Sequence, residues 1–150
     1  MDQMDHDLGE LKDDILERRY RERAFAYFSP LVRRAHVVWG DELAALLEEA
    51  VEQGLLLQEE ADEVALADVL VRGRRREDGT QVYLVVEVSW GVGISDVQRA
   101  GRRASLLAKT GTPTVPMVAG QWISEEAADL GRKMKVRQLI DRRAVSPDSP

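Results

Sequence analysis

Glu87 stands in the most apolar run of the chain, residues 82–89, which read Val-Tyr-Leu-Val-Val-Glu-Val-Ser. A short run of this kind, rich in β-branched residues and bounded by turn signals, predicts a strand buried on both faces. An unpartnered, ionised carboxylate there costs several kcal/mol, comparable to much of a small domain's stability. The fold must therefore supply Glu87 with a cation, a hydrogen-bond network or a proton. Asp68 is the second acid in an apolar stretch, residues 64–72, which read as the preceding strand. Between them, Glu77-Asp78-Gly79-Thr80 is a hairpin signal. A two-residue turn at Asp78-Gly79 sets Asp68 opposite Ser89, with Glu87 on the diagonal and all three on one face. A three-residue loop would move Asp68 to the other face.

Two carboxylates close together repel, so one pKa must rise unless a cation arrives. A hard divalent ion would resolve the conflict, activate water and stabilise charge on a phosphoryl group. With no cysteine and only His6 and His36, oxygen ligands and hence Mg²⁺ or Mn²⁺ are the fitting choice. The alternative is a guanidinium from Arg99, Arg102 or Arg103, closing an internal ion-pair network.

The order Asp68, a hairpin, Glu87-Val88-Ser89, then Asp96-Val97-Gln98 opening a helix resembles the PD-(D/E)XK nuclease superfamily, in particular its small bacterial members. The resemblance covers about residues 41–119. It implies a restriction-endonuclease-like α/β fold, a mixed central sheet flanked by helices, and action on DNA phosphodiester bonds. By motif, Asp68 and Glu87 would hold Mg²⁺ or Mn²⁺, and the Val88 carbonyl would be a further ligand. Gln98 would line the site, and Glu48 or Glu49 would add a carboxylate. Ser89 stands where the family has lysine, and Ala67 rather than proline precedes Asp68. Serine carries no charge to activate water, a loss worth about 10²-fold or more in rate. Ser89 would position water weakly, with Arg102 as substitute cation. A separate reading of Gln98 is a capping box, Ser95-x-x-Gln98.

These residues need elements to hold them. Leu8, Leu11, Ile15 and Arg19 trace a narrow helical stripe in a charged segment reaching Phe28. The stripe suits a partner helix, and a homodimer through this helix is the expectation. Ser29-Pro30 predicts a short helix through Arg34. Asp41 caps a helix with Leu43, Leu46, Leu47, Ala50 and Val51 on one face, ended by Gly54. A turn and a short acidic helix follow in residues 55–63. Ser95 caps a helix over 96–109, residues 114–118 form a strand, Ser124 opens a helix, and 136–140 form the last strand. The expected division is a helical extension over 1–40, with residues 1–7 frayed, the α/β domain over 41–143, and a disordered tail over 144–150.

The net charge of −6 argues against a uniformly basic binder, but the charge is segregated. Residues 41–63 hold nine acids and no base, whereas residues 18–34 hold six arginines and one acid. A polarised surface of this kind can bind phosphate. Arg18, Arg19, Arg99 and Arg102 are the expected nucleic-acid contacts. No run of 18 apolar residues predicts a membrane span, and the acidic start is unlike a signal peptide, so the expected location is the cytoplasm. Two other functions remain open: a catalytically silent module for nucleic-acid or protein binding, and a structural homodimer.

Overall fold

The computed structural model describes residues 3–145, with side chains over 7–143. Its elements, in chain order, are helices α1 (Gln3–Glu22) and α2 (Ala24–Phe28), strand β1 (Val32–Val37), and helices α3 (Gly40–Glu52) and α4 (Gln58–Ala65). Strands β2 (Val69–Arg75), β3 (Gln81–Val88) and β4 (Gly91–Val92) follow, then α5 (Ile94–Ala108), β5 (Thr114–Gly120) and β6 (Trp122–Ile123). Helix α6 (Glu125–Met134) and strands β7 (Arg137–Ile140) and β8 (Arg143–Val145) complete the chain. A six-stranded mixed sheet in the order β1-β2-β3-β5-β7-β8 makes the protein an α/β fold. Strands β3, β5 and β7 run parallel, joined by the crossover helices α5 and α6, while β1, β2 and β8 are antiparallel to their neighbours.

Alternation along β3 assigns each wall of the sheet. Val82, Leu84, Val86 and Val88 meet Leu16, Tyr20, Ala24 and Phe28, four residues apart along α1 and α2. On the other side, Tyr83 and Val85 meet Leu47, Ala61, Val64, Ala104 and Leu107 of α3, α4 and α5. Burying each of the larger side chains contributes roughly 1.5–3 kcal/mol. Glu87 continues the second series, which aims its carboxylate at α5.

Several expectations change. Residues 32–37 form an edge strand, not a helix: Ser29 closes α2, and Val32 and Val37 pair with Arg75 and Val71 of β2. The N-terminal 40 residues, expected as a helical extension, thus supply a strand of the sheet and one wall of its core. Val64 is helical and β2 begins only at Val69, because Glu60 Oε1 accepts from Leu57 N (2.9 Å) and starts a helix that runs through Val64. The helix α1 begins at Gln3, within the segment expected to fray, and β8 continues past Arg143 to Val145. The remainder of the expected tail, 146–150, and of the frayed start, residues 1 and 2, lies outside the described residues.

Candidate functional site

The β2–β3 register sets Val69 opposite Val86 and Arg74 opposite Gln81. The connection is longer than the expected two-residue turn. Arg75 N donates to Thr80 O (2.8 Å), Gly79 N to Arg75 O (2.8 Å), and Thr80 N to Asp78 Oδ1 (2.9 Å). Two extra residues preserve the parity and shift the pairing, so Asp68 comes opposite Glu87 rather than Ser89 when the ladder is continued by one residue. Each acid accepts a backbone N–H from the opposite strand. Asp68 N donates to Glu87 Oε2 (3.3 Å), and Val88 N donates to Asp68 Oδ2 (2.8 Å).

The cation at this pair comes from α5. Asp96, Arg99 and Arg103 fall at i, i+3 and i+7, on one helical face. Arg103 Nη1 donates to Glu87 Oε1 at 2.6 Å, and Arg99 Nε reaches the same oxygen at 3.4 Å. The Glu87 side chain is 1% exposed and that of Arg103 7%. Arg103 also bonds Leu66 O (3.2 Å) and Glu63 Oε1 (3.3 Å) of the α4 region. Asp96 holds Arg99, and its Oδ2 accepts from Gly93 N (2.9 Å), capping α5. That cap replaces the expected Ser95–Gln98 box. A third carboxylate approaches from α1: Glu17 pairs with Arg21 (2.5 Å), whose guanidinium donates to Asp68 O (3.2 Å).

Burial, reinforced by the Asp68 charge, lifts Glu87 to a pKa of about 7 despite Arg103. Burial also raises Asp68, against the lowering effect of the Val88 N–H. Glu17 is raised by burial and then by Asp68. Glu63 is lowered, first by its hydrogen bond from Arg102. Burial is thus the first cause of the raised values at Glu87, Asp68 and Glu17.

The expected site residues divide sharply. Asp68 and Glu87 come together, with the Val88 N–H between them. The Ser89 hydroxyl donates to Gly91 O (2.9 Å), leaving its proton committed to backbone. Gln98 is exposed and borders a hollow with Gly101, Ser105 and Met134, away from the acids. Arg99 is held by Glu87 and Asp96, and Arg102 by Glu63 (2.5 Å). Arg18 and Arg19 lie on α1 beside a separate hollow. Glu48 and Glu49 take no part in the acid contacts. Sequence reasoning missed Glu17, Arg21 and Glu63 as site members; the i, i+4 spacing of Glu17 and Arg21 was visible, but not its meeting with Asp68.

The Mg²⁺ or Mn²⁺ implied by the family resemblance does not fit this arrangement. Three of the four Asp68 and Glu87 carboxylate oxygens accept hydrogen bonds from protein groups. A divalent ion approaching Glu87 Oε1 would meet a guanidinium already at contact distance. Among the described residues, no group of three or more His, Asp or Glu side chains is placed to hold a metal.

The fold and site define an α/β protein with a carboxylate–guanidinium cluster at the end of strand β3. No protein-family model, curated protein or solved structure matches the chain. Among the described residues, no helix is long and apolar enough to cross a membrane.

Proposed function

We propose that the chain is a restriction-endonuclease-like module that holds nucleic-acid backbone without cutting it, its acid pair closed by arginine. The observation that carries the reading is the contact of Arg103 with Glu87, at the position where the nuclease resemblance would put a metal. Such a pair orients α5 against the sheet and supplies no water-activating centre. Ser89, with its hydroxyl committed to Gly91 O, supplies none either.

Binding is assigned to the β1–β2 ribbon. Arg33 lies directly opposite Arg74, and His36 opposite Arg72; Arg72 and Arg74 share a face by alternation, and a bulge between Arg33 and His36 keeps their partners on it. Glu42 is hydrogen-bonded to His36 (2.8 Å) and paired with Arg72 (3.5 Å), but among the described residues no carboxylate is paired with Arg33 or Arg74. Two opposed cations favour a polyanion laid across both strands. The rival reading, Mg²⁺-dependent DNA hydrolysis, draws support from Glu17 as a third carboxylate near Asp68, and it requires Arg103 to leave Glu87.

Fluorescence anisotropy with a labelled DNA duplex tests binding, and the same mixtures with Mg²⁺ or Mn²⁺ test cutting. The expected result is salt-dependent binding, with the slope against log salt reduced by about 2 in Arg33→Ala/Arg74→Ala, and an intact duplex. Cleavage that disappears in Glu87→Gln would overturn the silent-site reading. Binding that is absent, or indifferent to both arginines, would remove the nucleic-acid assignment.

A further inference from the structure

Helices α1 and α2 cover one face of the sheet only as far as Phe28. By alternation Arg75 follows Val71 on that face, and Arg137 precedes Leu139. Beyond Phe28 lies a hollow of about 440 Å³, with Val82, Leu84 and Val115 at its base and Leu31 beside it. That volume falls among small-molecule sites, roughly 300–1,000 Å³. Arg75, Arg76, Glu77 and Asp78 border it from the β2 side and Arg137 from the β7 side, with β3 and β5 between. The two sides differ in charge. On the β2 side, arginines and carboxylates stand together without closing on each other. Arg75 Nη1 stays 3.8 Å from Asp78 Oδ2, and Arg76 Nε donates to Ser29 O (2.6 Å). Asp78 Oδ1 accepts from Thr80 N instead (2.9 Å), and Glu77 is exposed. On the β7 side Arg137 is alone and half-buried. Among the described residues, neither a hydrogen bond nor an ion pair engages its guanidinium.

We propose that this hollow binds a sugar phosphate, with the phosphate on Arg137 and the hydroxyls along the β2 side. A guanidinium withdrawn from water gains from a counter-charge, and its planar fork matches phosphate oxygens with two parallel hydrogen bonds. The mixed row on the β2 side offers donors from arginine and acceptors from carboxylate at once. Hydroxyls, which both donate and accept, can satisfy such a row, whereas a second anionic group would be repelled there by Glu77 and Asp78 as much as it is attracted. The half-buried Leu31 and Val115 give the C–H face of a sugar ring an apolar neighbour. The inference is independent of the acid cluster, which lies at the other end of β3. It is independent of the nucleic-acid reading too, since Arg33 and Arg74 alternate onto the opposite face of the β1–β2 ribbon.

Isothermal titration calorimetry with ribose 5-phosphate, ribose and inorganic phosphate reads the parts of the site separately. The expected result is a Kd below about 1 mM for ribose 5-phosphate, at least about tenfold tighter than for either fragment. Arg137→Ala should weaken ribose 5-phosphate at least about tenfold, to the level of ribose. Glu77→Gln should weaken ribose 5-phosphate and leave inorganic phosphate no weaker, a split that loss of a hydroxyl acceptor produces and loss of fold does not. Because Glu77 is exposed and Arg137 is bonded to no described protein group, both variants should keep the circular dichroism spectrum of the wild type. Arg33→Ala, on the other face, should bind ribose 5-phosphate as the wild type does. No heat from ribose 5-phosphate up to about 10 mM, equal affinity for it and for inorganic phosphate, or indifference to Arg137→Ala would each overturn the proposal. A DNA duplex that competes with ribose 5-phosphate, and whose binding falls in Arg137→Ala, would do so as well and give the hollow to nucleic acid.

Discussion

Arg103 Nη1 lies 2.6 Å from Glu87 Oε1, with both side chains withdrawn from solvent and the same guanidinium reaching back to Leu66 O and Glu63. One side chain thereby joins α5, the end of α4 and the central strand β3. Removing it leaves the buried acid with only the longer contact from Arg99 (3.4 Å), and breaking such a pair costs about 3–5 kcal/mol. Arg103→Met should lower chemical-denaturation stability by about that amount, whereas Glu87→Gln/Arg103→Met should cost clearly less than the sum of its single substitutions. Strict additivity would mean that the two groups are not coupled.

The raised pKa of Glu87 fixes the sign of a pH effect. The folded chain binds this proton more tightly than the unfolded chain, whose glutamate titrates near 4.5. The contribution to stability is full below about 4.5, declines as pH rises through about 7, and is flat above. Asp68 and Glu17, also raised, act in the same direction. Urea denaturation should show a loss on the order of 1–3 kcal/mol between about pH 5 and pH 8. Glu87→Gln should flatten most of that slope. A stability that climbs over this range would contradict the raised pKa of Glu87.

The acid pair was legible because Glu87 violates the pattern of its own strand, and because turn parity places Asp68 on the same face. Its cation was only partly legible. Asp96, Arg99 and Arg103 share a helical face by spacing alone, but which of the nearby arginines enters the sheet depends on how α4 and α5 pack, through Leu66 O and Glu63. Glu17 could not be placed, because α1 reaches Asp68 only through the tertiary packing of Leu16 and Tyr20. The edge strand β1 was missed for a related reason. Its Arg33-Arg34 step is polar and contains a bulge at which Arg34 takes φ 56°, so the alternation that identifies strands is interrupted there. Helix starts were read in part: Ser124 does cap α6 by accepting from Ala127 N (3.1 Å), whereas α3 begins at Gly40 and α5 at Ile94, each one residue ahead of the expected caps Asp41 and Ser95.

Gly120 ends β5 where the chain passes the Ser89 carbonyl. A Cβ at this position would lie 2.0 Å from Ser89 O and 2.9 Å from a Val92 methyl. The obstacle is backbone, and Ser89 N is itself tied to Ala119 O (3.0 Å), so a rotamer change gives no relief. Gly120→Ala should therefore cost about 1–3 kcal/mol, the range for overpacking. Gly93→Ala, which meets nothing within 4 Å, is the matched control. Equal melting temperatures for the two variants would show that the β3–β5 end tolerates movement.

Arg33 opposite Arg74 provides the last prediction. Directly opposed like charges destabilise a strand pair by roughly 0.2–1 kcal/mol, and exposed charges are screened by salt. In low-salt buffer, Arg33→Thr should raise the melting temperature slightly, because it removes the repulsion and adds a β-branched residue. The gain should shrink as salt rises. A polyanion such as heparin should produce the converse pattern, raising the melting temperature of the wild type more than that of Arg33→Thr, because it binds the folded ribbon. Thermal scans at low and high salt, with and without heparin, separate the effects. If Arg33→Thr is less stable at every salt concentration and heparin stabilises both chains equally, the arginine pair is neither strained nor a polyanion seat.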